Sequence, residues 1–375
     1  MSSRSRTWLA IYARALRQMA LARGAAADPP RRILLPHHSL LGDTILLAAC
    51  VAKLRARYPA AEIVHVMPQA FVPLFSRRPW DAEAVGWNVR DPGSLADLWR
   101  RGPFDLAIVN GDARFSWLAR AMGARRVVAF AGDRPAYKSW PATDLLPMPG
   151  EPMAWSDLVT TLVPGPPPPP YARGQWEAPE CRPYDRPGDR YAVLHVGASS
   201  MHKTWLAERW AGLAAALEAR GLAPCWSAGP GEESLVAAIP GAAGQRSFAG
   251  RLDLAQMWDL VAHASLVVTG DTSVAHIGRA ALAPTVVIYG PSGPVLGGAG
   301  RFWADCPGAS VAIDPFPCRD QDVLFKRHVA WVRRCARGPD ECPAPRCMHE
   351  IGVAAVLAAA EPFLPRRDGS AQAAS

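Results

Sequence analysis

Val267-Val268-Thr269-Gly270-Asp271-Thr272-Ser273-Val274-Ala275-His276 is the stretch that decides how this chain folds. An apolar strand runs straight into a polar turn, and the turn opens a helix. That hand-over belongs to a parallel α/β sheet, and the first N–H groups of such a helix attract an anion. Asp271 is the expected N-cap. His276, five residues further on, is expected near the first turn and within reach of the same anion.

The alternation continues on both sides of this stretch. Leu252 to His263 reads as a helix, Ser273 to Leu282 as the helix after the turn, and Pro284 to Tyr289 as the next strand. Upstream, Tyr191 to Val196 reads as a strand, Leu206 to Arg220 as a helix and Leu222 to Ser227 as a strand. Strands and helices in alternation predict a parallel sheet covered by helices. The loop after the first of these strands is Val196-Gly197-Ala198-Ser199-Ser200-Met201-His202-Lys203-Thr204-Trp205. It stands where such sheets bind phosphate: Gly197 lets the backbone approach, Ser199 and Ser200 offer hydroxyl and N–H donors, and Lys203 supplies a point charge. It is not a Walker loop.

Val163-Pro164-Gly165 and the five prolines 166–170 read as a semi-rigid linker. Ahead of it lies another α/β series. Ile33-Leu34-Leu35, Glu62 to Met67, Phe104 to Val109 and Val127 to Phe130 are its strands, with a helix from Gly42 to about Tyr58. At the first strand–helix junction Gly42 allows the tight turn. Asp43 either caps the helix or holds a carboxylate at the sheet's C-terminal edge, where a general base would sit. His37 and His38 precede it and either line that cleft or are satisfied within the fold.

The organisation predicted is therefore a basic amphipathic helix in 1–30, a Rossmann-like domain in 31–163 and a Pro-rich linker in 164–187. A second Rossmann-like domain follows in 188–348, with a Cys-rich segment at 306–347, and 349–375 form a C-terminal helix and polar tail. Ligands are expected at the strand C-termini and in the cleft between the domains.

Residues 4–23 set Arg4, Arg6, Arg14, Arg17 and Arg23 against Trp8, Leu9, Ile11, Tyr12, Leu16 and Met19, and Gly24 with Asp28-Pro29-Pro30 ends the helix. Such a helix either lies on a membrane surface beside anionic lipid or packs on the domain with a solvated face. Cys318, Cys335, Cys342 and Cys347, with Cys306 nearby, fit two readings: thiolates holding zinc or iron, or reduced free cysteines. Their spacing is not that of paired CxxC knuckles.

The chain has 375 residues, half of them hydrophobic and a fifth charged, which is ordinary globular composition. Its apolar runs, such as Ile45 to Ala52, are too short to span a bilayer, and no secretory signal is read at its start. The net charge of +8 comes from an arginine-dominated set of 41 basic residues, of which only Lys53, Lys138, Lys203 and Lys326 are lysines. It points to anionic partners.

Together these pieces resemble glycosyltransferase family 9, the ADP-heptose:lipopolysaccharide heptosyltransferases, over roughly residues 31 to 355. The most specific stretches are Leu41-Gly42-Asp43-Thr44-Ile45-Leu46-Leu47, Lys203-Thr204-Trp205, and the block from Leu254 to Pro294 with Gly270-Asp271-Thr272, His276 and Tyr289-Gly290-Pro291-Ser292. Cys342, Cys347 and Met348-His349-Glu350-Ile351 resemble the family's C-terminus. The chain departs from the family's pattern at Ser273-Val274-Ala275, at His37-His38 and at Gly293.

The resemblance implies a GT-B fold: two facing Rossmann-like domains with a cleft between them, acceptor on the first and nucleotide-sugar on the second. It implies that Asp43 is the base for a single inverting displacement. Ser199, Ser200 and Lys203, with Thr272 and Ser273, would hold the donor diphosphate, Asp271 and His276 would complete that wall, and Glu232 would sit near the ribose. His37 and His38 would border the acceptor. A lysine and a helix N-terminus can carry the leaving group's charge, so no cofactor is required by this scheme.

The expected activity is inverting transfer of a sugar, heptose first among candidates, from an ADP-sugar to a lipopolysaccharide core or related lipid-linked glycan. The enzyme would work in the cytoplasm at the inner face of the inner membrane, with peripheral contact through residues 4–23. Two rivals stand beside it: a protein O-heptosyltransferase of the same family, and a non-catalytic anion- or nucleic-acid-binding protein. The basic residues are scattered and carry no nucleic-acid motif, so no nucleic acid is expected.

Overall fold

The computed structural model describes residues 2–21, 26–188 and 190–364. The expected helix end at Gly24, Arg23, and the polar tail beyond 364 lie outside the described residues.

Two compact units divide the chain. The first comprises Met1–Glu180, Val295–Asp305 and Asp320–Arg334, and the second Cys181–Pro294, Cys306–Arg319 and Cys335–Ser375. The boundary thus falls at 180, and the proline segment is part of the first unit. Buried Tyr171 and Trp176 hold it there: Trp176 stacks 4.7 Å from Phe75 and donates its indole N–H to the Leu74 carbonyl. The proline run predicts a spacer, but two aromatic side chains just beyond it offer more burial than a free linker could use.

The first unit opens with α1 (Ser3–Leu21), followed by β1 (Arg32–Pro36), α2 (Leu41–Leu46), α3 (Ala48–Arg57), β2 (Glu62–Pro68) and β3 (Ala82–Trp87). Then come α4 (Leu95–Arg101), β4 (Phe104–Val109), α5 (Phe115–Ala121), β5 (Ala124–Phe130), β6 (Asp144–Leu146) and α6 (Trp155–Thr160). The strands form one parallel sheet in the order β3-β2-β1-β4-β5-β6, with Leu34 level with Val64 and Ala107. Leu34, Val64, Ala107 and Val127 are fully buried on one side of the sheet, beneath α5 and α1. α1 contributes Thr7, Trp8, Ile11 and Ala15 to this packing.

The second unit repeats the plan. It contains β7 (Tyr191–His195), α7 (Ala207–Glu218), β8 (Ala223–Ser227), α8 (Glu233–Ala237), β9 (Arg246–Ser247), α9 (Leu254–Ala262), β10 (Leu266–Gly270), α10 (Ser273–Ala280) and β11 (Thr285–Tyr289). After α11 (Pro294–Gly297), which opens a return to the first unit, come β12 (Gly308–Ala312) and the first unit's hairpin, β13 (Val323–Leu324) and β14 (Arg327–His328). The chain then closes the second unit with α12 (Arg346–His349) and α13 (Val353–Ala360). Its sheet order, β12-β11-β10-β7-β8-β9, is the same doubly wound order as the first, read from the opposite edge. In each unit the order reverses at a switch point, between β1 and β4 and between β7 and β10, where such sheets receive ligands.

Two excursions complete the first unit. The Asp157 carboxylate on α6 accepts from the N–H groups of Arg301 and Phe302, at 2.6 and 3.1 Å. Arg327, buried on β14, donates to the carbonyls of Gly111, Phe130 and Ala131 at 2.6, 3.0 and 2.8 Å, satisfying oxygens just past β4 and at and just past the end of β5.

Candidate functional site

The switch point of the second sheet gathers most of the expected donor residues. Lys203 closes the short 3₁₀ turn Met201–Lys203 after β7, and Asp271 follows β10 directly. The Lys203 ammonium donates to the Asp271 Oδ2 at 2.9 Å and to its backbone carbonyl at 3.0 Å, bridging the two loops. Ser292, after β11, donates to the same carboxylate oxygen at 2.8 Å. Burial alone would raise the Asp271 pKa, but the Lys203 charge and hydrogen bond, His276 and Ser292 hold it below the usual carboxylate range. The site therefore presents an ionised, paired carboxylate beside a lysine.

Asp271 is not the N-cap of α10. Thr272 takes that position, its Oγ1 accepting from the Val274 N–H at 3.3 Å and lying 3.0 Å from the Thr269 hydroxyl. With Thr272 as cap, Asp271 is left to pair with Lys203. Ser273 is the first residue of α10, where the helix N–H groups lack intrahelical partners. His276 is buried: its Nδ1 lies 3.1 Å from an Arg279 nitrogen, and Arg279 also donates to the Tyr289 hydroxyl at 3.1 Å. Burial first, then the Arg279 charge, push His276 down to about 3, so its ring is neutral at ordinary pH.

Ser199 and Ser200 lie on the loop after β7, and Ser200 caps the short turn by accepting from the His202 N–H at 3.3 Å. Glu232 ties two loops together, its Oε1 accepting from the Ala198 N–H at 3.1 Å and its Oε2 from the Gly229 N–H at 2.7 Å. A Cβ at Gly197 would fall 2.1 Å from the Glu232 Oε2. The glycine thus admits a carboxylate of the protein itself, which differs from the phosphate approach its position suggests. The free lone pairs of that carboxylate remain available to further donors.

In the first unit Asp43 lies in the first turn of α2, half-buried. Leu40, not Asp43, occupies the N-cap, and the leucine side chain offers it no cap bond. The two histidines before it separate. His37 is buried, its Nδ1 accepting from the Ser39 N–H at 3.2 Å, so its Nε2 carries the proton toward the His65 Nε2 at 2.9 Å. Burial, then His65 and His38, lower His37 well below 6.5, and burial takes His65 to about 3. His37 is thus a neutral core residue rather than an open wall of a cleft. His38 is only partly buried and sets its ring edge-on to Trp87 at 5.2 Å.

Two residues at these sheet edges carry no sequence signature. Asn110, directly after β4 at the switch point, is 4% exposed and its amide nitrogen has no partner among the described residues. Arg319, 3% exposed, donates to the Gly290 carbonyl at 2.8 Å beneath the Gly290–Gly293 turn. Neither belongs to a motif; only the fold brings them to the strand ends.

The four late cysteines do converge. Cys318 and Cys335 share a thiol–thiol hydrogen bond, and both, with Cys342, act on the Cys347 thiol. Among the described residues no disulfide joins any of the cysteines. Burial pushes Cys347 up to about 11, against thiolate formation. Among the described residues no group of three or more His, Cys, Asp or Glu is set to hold a metal ion. The segment also braces the donor loop: the Cys342 carbonyl lies 3.0 Å from the His202 Nε2.

Residues 94–305 match the family model described as glycosyltransferase family 9 (heptosyltransferase). The chain is 24% identical over 285 residues to lipopolysaccharide heptosyltransferase 3 of Escherichia coli strain K12, covering 68% of this chain and 81% of that protein. Among solved structures, a glycosyl transferase family 9 protein from Veillonella parvula superposes with a TM-score of 0.68 at 17% identity, covering 89% of this chain and 97% of that one. ADP-heptose LPS heptosyltransferase II of E. coli gives 0.64 at 19% identity, covering 89% and 98%.

Proposed function

This chain belongs to glycosyltransferase family 9, and from that premise we propose that it moves a heptose from ADP-heptose to the lipid-linked core of lipopolysaccharide. It is a nucleotide-sugar-dependent glycosyltransferase with the two Rossmann-like units of the GT-B fold. The observation that supports the donor side is the Lys203–Asp271 bridge across the β7/β10 switch point, beside the N-terminus of α10. A diphosphate entering there gains the lysine and the N–H groups of Thr272 and Ser273, with Ser199 and Ser200 alongside. Asp271 and the neutral ring of His276 orient the lysine and the helix start. Glu232, already holding two loops, accepts from the ribose hydroxyls.

In this reading Asp43 accepts the proton of the acceptor hydroxyl as the oxygen attacks the anomeric carbon. The C–O bond to the diphosphate breaks on the opposite face, the configuration inverts, and the charge that develops on the leaving phosphate is met by Lys203 and the helix N-terminus. His38 borders the acceptor. Zinc or iron at the cysteine quartet is not assigned any step.

No described helix is long and apolar enough to cross a membrane. Work at the cytoplasmic face of the inner membrane, with residues 4–21 in peripheral contact, is part of the same proposal. The test is thermal stabilisation of the purified chain by a panel of nucleotide-sugars. Ligand at ~100 times its dissociation constant adds about 2.7 kcal/mol. Stabilisation confined to ADP-sugars supports the donor assignment, and none with any member of the panel rejects it.

A further inference from the structure

Asp271 stands between two neighbours. β10 pairs with β7 on one side and with β11 on the other, so the loops after these three strands lie side by side at the C-terminal edge of the second sheet. Lys203 reaches Asp271 from the β7 loop and Ser292 from the β11 turn, and both donate to the same oxygen, Oδ2. The lysine gives a second N–H to the Asp271 carbonyl. An ammonium has three donors and no acceptor, so one N–H is left, and its direction follows from the two already engaged. Whatever fixes the Asp271 carboxylate therefore aims the lysine.

Ser292 owes its place to the Gly290–Gly293 turn, which is held at two successive carbonyls. Arg319, from the segment after β12, donates its Nε–H to the Gly290 carbonyl at 2.8 Å, and the Cys335 N–H donates to the Pro291 carbonyl at 2.9 Å. A Cβ at Gly290 would fall 2.3 Å from the Met348 Cγ, so the turn rests directly on α12. All of these residues belong to the second unit.

Burial of Arg319 does little for stability. Its side chain is 2% exposed, while that of Asp314, which it meets at 2.8 Å, is 52% exposed. Its Nη2 is sealed from solvent and has no partner among the described residues. A guanidinium taken out of water against a carboxylate that stays wet, with one nitrogen unsatisfied, stabilises a fold no better than apolar side chains of similar volume. What Arg319 does supply is a charge-assisted hydrogen bond to the turn that presents Ser292.

We propose that Arg319 and Ser292 are positioning residues for the donor diphosphate. Arg319 fixes the Gly290–Gly293 turn, the turn holds the Ser292 hydroxyl on Asp271, and Asp271 aims the remaining N–H of Lys203 at the incoming phosphate. Neither Arg319 nor Ser292 touches the donor in this scheme. Resting on the reading that the β7/β10 edge receives that diphosphate, the relay extends the donor site to a side chain that follows β12, two strands from the one that carries Asp271.

The test is the dissociation constant of ADP, measured by calorimetry on the full chain. Ser292→Ala should weaken ADP by about fivefold, the value of one hydrogen bond, whereas Ser292→Thr keeps the hydroxyl and should bind within about twofold of wild type. Arg319→Gln should weaken ADP by about the same factor as Ser292→Ala. Because both act on one relay, the double variant should lose no more than about tenfold, where independent effects would multiply to about twenty-five-fold. Damage to packing alone would give that product and would not distinguish alanine from threonine at 292. Asp314→Asn, at a half-exposed position, loosens the same guanidinium; if Arg319→Gln does not fold it takes that variant's place, with a loss of about twofold that vanishes in the Ser292→Ala background. Wild-type ADP affinity in Ser292→Ala, or a double variant at the full product, overturns the proposal. Lys203→Ala, measured alongside, separates the two levels. Weaker ADP there, with wild-type affinity in the Ser292 and Arg319 variants, rejects the relay alone; unchanged ADP affinity in Lys203→Ala rejects the donor reading and the relay with it.

Discussion

Asp43 occupies the first turn of α2 but not its N-cap position, which Leu40 holds. Asp43→Asn is nearly isosteric and keeps a side-chain oxygen that can accept a hydrogen bond. What it removes is a proton acceptor, and general-base help is worth ~10²–10⁴ in rate. Turnover should therefore fall at least ~100-fold while the thermal midpoint and ADP affinity stay near wild type; a fall of less than about fivefold moves the base to another group, with His38 the next to replace. Lys203→Ala should raise the donor KM by about tenfold to a hundredfold, for loss of a charge-assisted contact worth ~1.5–3 kcal/mol. It also leaves the Asp271 carboxylate unpaired against the incoming diphosphate, so Lys203→Arg, which restores charge but not the compact ammonium, should recover only part. Unchanged donor affinity in Lys203→Ala would remove the phosphate role. At this scale the sequence assigns candidate residues to their loops but does not say which neighbour each one pairs with. Asp271 and Thr272 are both good caps, one residue apart, and only the 2.9 Å ion pair decides between them. The choice for His37 turned on burial against His65, a residue 28 positions away that no local pattern connects to it.

The elements were legible where apolar residues run together. β1, β2, β4, β7, β10 and β11 are two-sided buried strands of a parallel sheet, and such strands read as near-continuous hydrophobic runs. β3, with Glu83 and Gly86 in its six residues, sits at the edge of its sheet, and so does β12; neither carries that signal. The helix read as continuous from Gly42 to Tyr58 is broken at Leu47 into α2 and α3. The loops after β7 and β8 depend on one another through Glu232, which suggests a test at the level of the element. Gly197→Ala should force the Glu232 carboxylate off the Gly229 and Ala198 N–H groups and cost ~1–3 kcal/mol of stability. Chemical denaturation measures it, and donor KM should rise in step. A neutral effect on both would mean that Glu232 can give way freely. α1 offers the complementary case: Ile11 is fully buried against the first sheet's helices, so Ile11→Ala should cost ~2–5 kcal/mol despite lying in a helix that reads from sequence as equally fit for solvent or lipid.

Across the whole molecule, buried neutral imidazoles set an acid limit. His65 and His276 are lowered to about 3 and His195 to about 4, each chiefly by burial. Unfolded, the same rings take up protons near pH 6.5, so unfolding binds protons and stability falls as pH drops below that value. Each ring contributes at most ~1.4 kcal/mol per pH unit in that window. The urea midpoint should fall steadily between pH 7 and about pH 5, and His65→Gln should flatten the slope; an unchanged slope would locate the proton uptake elsewhere. The presence of two similar α/β units was readable from the repeated alternation, although the proline run taken for their linker lies inside the first unit. The return of 295–305 and 320–334 to the first unit was not, because nothing local distinguishes Arg327 from the other arginines of an arginine-rich tail. That return has a consequence for synthesis. The carbonyls of Gly111, Phe130 and Ala131 wait for a guanidinium encoded about two hundred codons later. At ~5–20 residues per second, some tens of seconds at the slow end separate the emergence of β5 from that of Arg327. The first half of the chain must remain incomplete on the ribosome while the second is made, and it should be then, rather than after release, that the nascent protein most needs a chaperone.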